Sequence, residues 1–277
     1  MTETLRHVVS RDGTPIAVFS SGEGSPLILV HGTTADHTTW RRSGPRLEER
    51  YRVHAIDRRG RGDSGDGDGP YAIEREFEDL AAVADALGDE AGEPVNVVGH
   101  SYGGRTGLGA ALLTSSIGRL VVYEGAPAPG GGAGFASPEM KHQIAGLIEA
   151  GERDEALVLF FREIVGMSDE ELALYRADPI WPRRVEAVHT SLRELEAEEA
   201  SPGASLEPLG RVSIPVLQIL GDESLPIFAD STFALDERLA NGQVAMIEGA
   251  RHAAHHTHVD EFVVAIRSFL DDPDLTE

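Results

Sequence analysis

Val95-Asn96-Val97-Val98-Gly99-His100-Ser101-Tyr102-Gly103-Gly104 is an apolar run that breaks into Gly-x-Ser-x-Gly and continues into small, helix-compatible residues. It reads as a strand, a turn and a helix with a serine at the apex. In such a turn the serine sits in a sparsely populated backbone conformation. Side chains at positions 99 and 103 would collide with the neighbouring strand and helix, so glycine at both makes the turn possible. The hydroxyl is held out above the end of a sheet, beside the positive end of a helix. The pentapeptide alone is common in loops; the flanking strand and helix make it informative. Ser101 is therefore the candidate nucleophile. With no cysteine in the 277 residues, a nucleophile must be an oxygen, and disulfides and cysteine metal sites are excluded.

Around this stretch, strand and helix signals alternate as a mostly parallel sheet requires. Residues 8–9 and 16–19 flank Asp12-Gly13 and read as an opening hairpin. Short buried strands follow at 27–30, running into His31-Gly32, and at 52–56, running into Asp57. Trp40 and a short helix at 45–50 lie between them. At 73–87, Ile73, Phe77, Leu80, Ala84 and Leu87 recur every three to four residues, which predicts an amphipathic helix leading to the strand before Ser101. The next strand, 120–123, stops at Glu124.

From there to about residue 208 the texture changes. A glycine and proline cluster at 127–134 reads as a hinge. Helical patterns then cover 139–150, 154–165, 168–177 and 183–200, with no strand signal between them. Strands resume at 214–220 and 244–247, and a last amphipathic helix carries Phe262, Val263, Ile266 and Phe269. The expected fold class is α/β, a mostly parallel central sheet flanked by helices. Residues 1–127 and 209–277 form its core domain, and 128–208 a helical lid inserted into it. The acidic stretch 194–199 reads as a solvated helix face.

The order of motifs resembles the α/β-hydrolase fold family. It is carried by His31-Gly32-Thr33-Thr34 after one strand, Asp57-Arg58-Arg59-Gly60-Arg61-Gly62-Asp63-Ser64 after the next, the Gly99–Gly103 turn, and the late Gly249-Ala250-Arg251-His252. The resemblance covers nearly the whole chain outside the lid and speaks to fold more than substrate. It implies a serine, histidine and acid working together, with the histidine late in the chain. His252 follows the last strand by a short connection and is the candidate base. His54, within a strand, and His100, under the turn, read as packing residues; His31 begins the loop implied to form an oxyanion site. Backbone amides of Thr33 and Tyr102 are the candidate oxyanion donors. His255, His256 and His258 are spaced so that they cannot all face one ion, and they read as decorating the start of the last helix; no metal or cofactor is expected.

The acid is less determined. The resemblance implies an aspartate three residues beyond the glycine that ends the strand at 214–220, and Ser224 stands there. Asp222 or Glu223 would serve from a shifted loop. Glu124, placed after Tyr123 as the acid is in some haloalkane dehalogenases, closes an apolar strand where an unpartnered carboxylate would be costly. Glu124 is preferred, with Glu223 and then Asp222 as alternatives.

The chemistry implied is that of a serine hydrolase cleaving a carboxylic ester, lactone or thioester through an acyl-enzyme. The alternatives are cofactor-free chemistry on the same residues, of haloperoxidase, lyase or cyclase type, and a slow-turnover ligand-binding protein. A formal net charge of −23 opposes nucleic acid and anionic membranes as partners. There is no N-terminal apolar signal core and no run near the roughly 18 apolar residues of a membrane span, which reads as a cytoplasmic protein. The expected partner is a small, neutral, partly apolar substrate, with Trp40, Phe135, Phe160, Phe161, Met167 and Trp181 as possible pocket walls among residues that core packing would also explain. Oligomeric state is left open.

Overall fold

The computed structural model describes residues 3–129, 134–201 and 205–276. Eight strands form one sheet: β1 (Thr4–Val9), β2 (Pro15–Ser21), β3 (Pro26–Val30), β4 (Arg52–Ile56), β5 (Val95–His100), β6 (Ile117–Tyr123), β7 (Val216–Gly221) and β8 (Gly242–Ile247). Their spatial order is β1-β2-β4-β3-β5-β6-β7-β8. The β1–β2 and β2–β4 pairs are antiparallel and all others parallel. β3 thus has β4 on one side and β5 on the other, and the chain leaves β3 and β5 in opposite directions along the sheet. In parallel sheets the crevice beyond the carboxyl ends of such strands is where ligands bind.

The central strands β3, β5, β6 and β7 are largely apolar because both faces are covered. Ile28, Val30, Val97, Leu120 and Val122 point into one core with α2 (Ile73–Ala91), α3 (Tyr102–Ala110) and α9 (Pro226–Asp236). Their alternates Leu27, Leu29, Val98, Val121 and Tyr123 point into the other, with α1 (Gly44–Leu47), Trp40 and α11 (Val259–Leu270), which follows the single turn of α10 (Ala254–Thr257). This is the two-residue side-chain period of a strand.

Between β6 and β7 lie α4 (Pro138–Glu149), α5 (Arg153–Leu159), α6 (Asp169–Arg176), α7 (Trp181–Ala187) and α8 (His189–Ala200). They share an apolar cluster that includes Ile144, Leu157, Phe160, Phe161, Trp181 and Val188. Ser168 and Glu171 close a reciprocal capping box on α6. Two elements differ from the sequence reading. The helix expected at 154–165 becomes a π-helical turn over Phe160–Val165, ended by Gly166 at φ 77. The helix expected at 183–200 begins at Trp181 and breaks at the buried Val188, where the Val188 amide bonds back three residues to Val185. Neither change alters an apolar period, so neither leaves a mark in the sequence. The expected hinge at 127–134 lies partly outside the described residues. Among the described residues no helix is long and apolar enough to cross a membrane.

Candidate active site

Three neighbouring parallel strands, β5, β6 and β7, end side by side at the crevice. Ser101 follows β5 with φ 54 and ψ −123, and its amide donates to the carbonyl of Tyr123 at 2.8 Å. A Cβ at Gly99 would lie 2.4 Å from the Gly103 carbonyl oxygen, and one at Gly103 would lie 2.3 Å from that of Val30. Both contacts are with backbone, so the turn admits no side chain at either position. Among the described residues, Thr34, Ser101 and Glu124 are the non-glycine residues with positive φ. All three sit at this crevice, on the loops following β3, β5 and β6, the kind of local strain that concentrates at functional sites.

His252 lies on the loop between β8 and α10. Its Nδ1 is 2.6 Å from Oε2 of Glu124, whose side chain is buried. Oε1 of Glu124 accepts from the Gly221 amide at 2.8 Å and from the Ser224 hydroxyl at 2.6 Å. Ser224, at the position where the family pattern would put an aspartate, thus orients a carboxylate delivered from the adjacent strand. The other two carboxylates turn elsewhere. Asp222 accepts from the Gly249 amide and Glu223 pairs with Arg251. With Nδ1–H donating to Glu124, the partners fix the proton on Nδ1 and leave Nε2 as the acceptor.

The His252 loop is pinned from below. His100 donates from Nε2 to the His252 carbonyl at 2.9 Å, the His252 ring stacks on Phe228 at 4.4 Å, and the Tyr123 hydroxyl accepts from the Ala254 amide while donating to the Arg251 carbonyl. His100 is therefore more than a packing residue. Its imidazole carries part of the support for His252.

Ser101, His252 and Thr33 line a small cavity with two lobes, of about 50 and 30 Å³. Tyr102, the first residue of α3, lines the larger lobe, and the first amides of a helix have no intrahelical acceptor. Of the aromatic and Met wall candidates, Phe135 and Phe160 line the larger lobe and Phe160, Phe161 and Met167 the smaller. Trp40 instead packs in the sheet core against Phe262, and Trp181 packs among the inserted helices, donating to Asp154.

Two sequence readings are corrected. Glu194, expected on a solvated helix face, is 1% exposed. Its Oε1 accepts from Arg58 at 2.6 Å and also from Arg61, and Arg58 pairs in turn with Glu76. The four glutamates within 194–199 hide this, because the partners of Glu194 are more than 130 positions away. His255 and His256 do not decorate a surface; both are buried, within reach of the Thr39 hydroxyl.

Burial holds several imidazoles neutral. It pushes His31, His100 and His255 well below the ordinary value of 6.5, with help from Arg58, His255 and His256 respectively. His54 falls to about 4 and His256 to about 2, again through burial first and then through Arg52 and Arg184. Each ring binds fewer protons folded than unfolded, so stability is lost as pH falls below about 6.5 and continues downward. His37 runs the other way: burial opposes its charge, but Asp57 raises its pKa. The net expectation is a loss on the order of 1 kcal/mol per depressed histidine between pH 7 and 5.5. Denaturant titrations at the two pH values measure it; equal stabilities would contradict the burial of these rings.

Residues 27–266 match the alpha/beta hydrolase family. An alpha/beta hydrolase structure from Sphaerobacter thermophilus is similar at 31% identity, covering 93% of this chain and 100% of that one, with a TM-score of 0.74. An esterase from a Rhodococcus species is similar at 25% identity, covering 97% and 98%, with a TM-score of 0.79. The 2-hydroxy-6-oxo-6-(2'-aminophenyl)hexa-2,4-dienoic acid hydrolase of Metapseudomonas resinovorans is 24% identical over 96% of this chain and 91% of its own length. With an eight-stranded sheet, a serine at the β5–α3 turn and a family match spanning most of its length, the chain belongs to the alpha/beta hydrolase family.

Proposed function

We propose that the protein is a serine hydrolase that cleaves a carboxylic ester, lactone or thioester through an acyl-enzyme. The observation that carries this reading is the His252–Glu124 contact beside a strained Ser101 on one cavity. Ser101 Oγ attacks the acyl carbon while His252 Nε2 takes its proton, and Glu124 fixes the tautomer and stabilises the imidazolium. The tetrahedral oxyanion is held by the backbone amides of Thr33 and Tyr102. His252 then protonates the leaving group, activates water, and the acid is released. Residues 128–208 act as a lid whose Phe160 and Val165 close the cavity above Ser101. The similar Rhodococcus protein is an esterase, which agrees with ester cleavage as the chemistry.

A fluorophosphonate probe tests the nucleophile directly. Peptide mass mapping is expected to place the adduct on the peptide bearing Ser101 in folded protein and to find none after denaturation. Failure of the folded protein to label would sink the reading in favour of a ligand-binding protein.

A further inference from the structure

Among the described residues, the cation lining the smaller lobe of the cavity has no ion-pair partner. Arg184, on α7, is 5% exposed and lines this lobe together with Ser101 and His252. The one hydrogen bond of its side chain among the described residues runs from Nη2 to the Thr39 hydroxyl at 2.8 Å, and its buried Nε has no partner. No carboxylate among the described residues lies within ion-pair distance. Four other buried arginines have partners within the chain: Arg58 and Arg61 pair with Glu194 and Arg59 with Asp79, while Arg119 donates to three backbone carbonyls. Nearby acidic groups are already engaged, Asp36 by Arg183 and Asp178 by Arg41.

What surrounds Arg184 instead is aromatic. Its guanidinium lies 5.7 Å from the ring centre of Phe161 and 5.3 Å from that of Tyr175. These faces soften the burial of a cation but supply no acceptor for its N–H groups. Burial disfavours the charge, yet a guanidinium does not give up its proton in a protein. An uncompensated buried charge is costly, and such groups in a cleft are candidates for ligand binding. Arg184 also lines an open cleft of about 250 Å³ on its other side, so the lobe is adjacent to solvent.

We propose that Arg184 binds a carboxylate of the substrate, with the Tyr175 hydroxyl as second donor, so that the protein acts on esters or lactones that already carry a negative charge. The class is that of half-esters of dicarboxylic acids, in place of the neutral substrate expected from the sequence. The overall charge of −23 does not oppose this. At physiological salt the repulsion of surface carboxylates is screened within about 8 Å, whereas a desolvated guanidinium acts at contact and in low dielectric. The inference rests on the acyl-transfer reading for the reaction, but the binding it asserts needs no chemistry.

The test therefore has two arms. In the first, hydrolysis of monomethyl glutarate and of its neutral counterpart dimethyl glutarate is followed by proton release. Wild type is expected to favour the charged ester by at least about tenfold in kcat/KM, R184M to lose that preference through KM, and R184K to fall between. In the second, glutarate is added during thermal denaturation. It is expected to raise the Tm of wild type and of inactive S101A, and to leave R184M unmoved. An equal preference in wild type and R184M, or the absence of any glutarate shift in wild type, overturns the proposal. If R184M does not fold, R184K decides by the same two readings. A glutarate shift lost in R184M without hydrolysis of either ester would uphold the anion site while the hydrolase reading fails.

Discussion

Replacing Ser101 with alanine is expected to lower turnover on carboxylic esters by about a thousandfold or more while leaving the fold intact. The side chain is small and already tolerates φ 54, so alanine adds no strain that serine does not carry. What is removed is the oxygen that forms the acyl bond. Residual activity would come from the oxyanion amides and from positioning, which alone give a small part of the acceleration. The measurement is kcat on an activated ester together with a thermal melt. A variant that melts like wild type and keeps more than a tenth of its activity would exclude Ser101 as nucleophile.

A second large effect is expected at Glu124. In Glu124→Gln the amide keeps the shape but has one oxygen for three donors: Gly221 N–H and Ser224 O–H on one side, His252 Nδ1–H on the other. If the amide oxygen stays with Gly221 and Ser224, its NH₂ faces His252 and forces the ring proton from Nδ1 to Nε2. That tautomer cannot accept the serine proton, and the negative charge that stabilises imidazolium is gone as well. By comparison with the same change in other triads, the loss in kcat could reach about ten-thousandfold. Glu223→Gln and Asp222→Asn touch only Arg251 and the Gly249 amide and are expected to stay within about threefold of wild type. A ranking in which Glu223→Gln or Asp222→Asn is the most damaging of the three would remove Glu124 from its proposed role.

The sheet and its turns were legible because they are written locally. Alternation of apolar runs with Gly-rich breaks gives the strands, and the Gly99 and Gly103 contacts with backbone explain why the Ser101 turn is recognisable in five residues. The Glu124 contact was approachable for a different reason. An apolar strand ending in a carboxylate raises the question of its partner, and Ser224 at the usual aspartate position leaves that partner to be supplied from elsewhere. What escaped were pairings across long separations. Glu194 looks like one more solvated acid until Arg58 and Arg61 are brought against it, and Arg184 looks like one of many arginines until it is found with no acid beside it. The buried His255 and His256 escaped because a histidine's environment depends on how α10 is tucked beneath the chain, and no period in four residues encodes that.

The Ser224–Glu124 hydrogen bond bears on how such chains diverge. Because the Ser224 hydroxyl after β7 meets the Glu124 carboxylate after β6, and that carboxylate meets His252 Nδ1, the loops after both strands reach the same neighbourhood, and a carboxylate could sit on either one. An ancestor carrying acids at both places would have tolerated loss of either one, which makes the exchange a neutral step rather than a leap. Pattern searches that demand an aspartate after β7 would therefore discard this chain as a degenerate relative, although a carboxylate meets its late histidine from a different address.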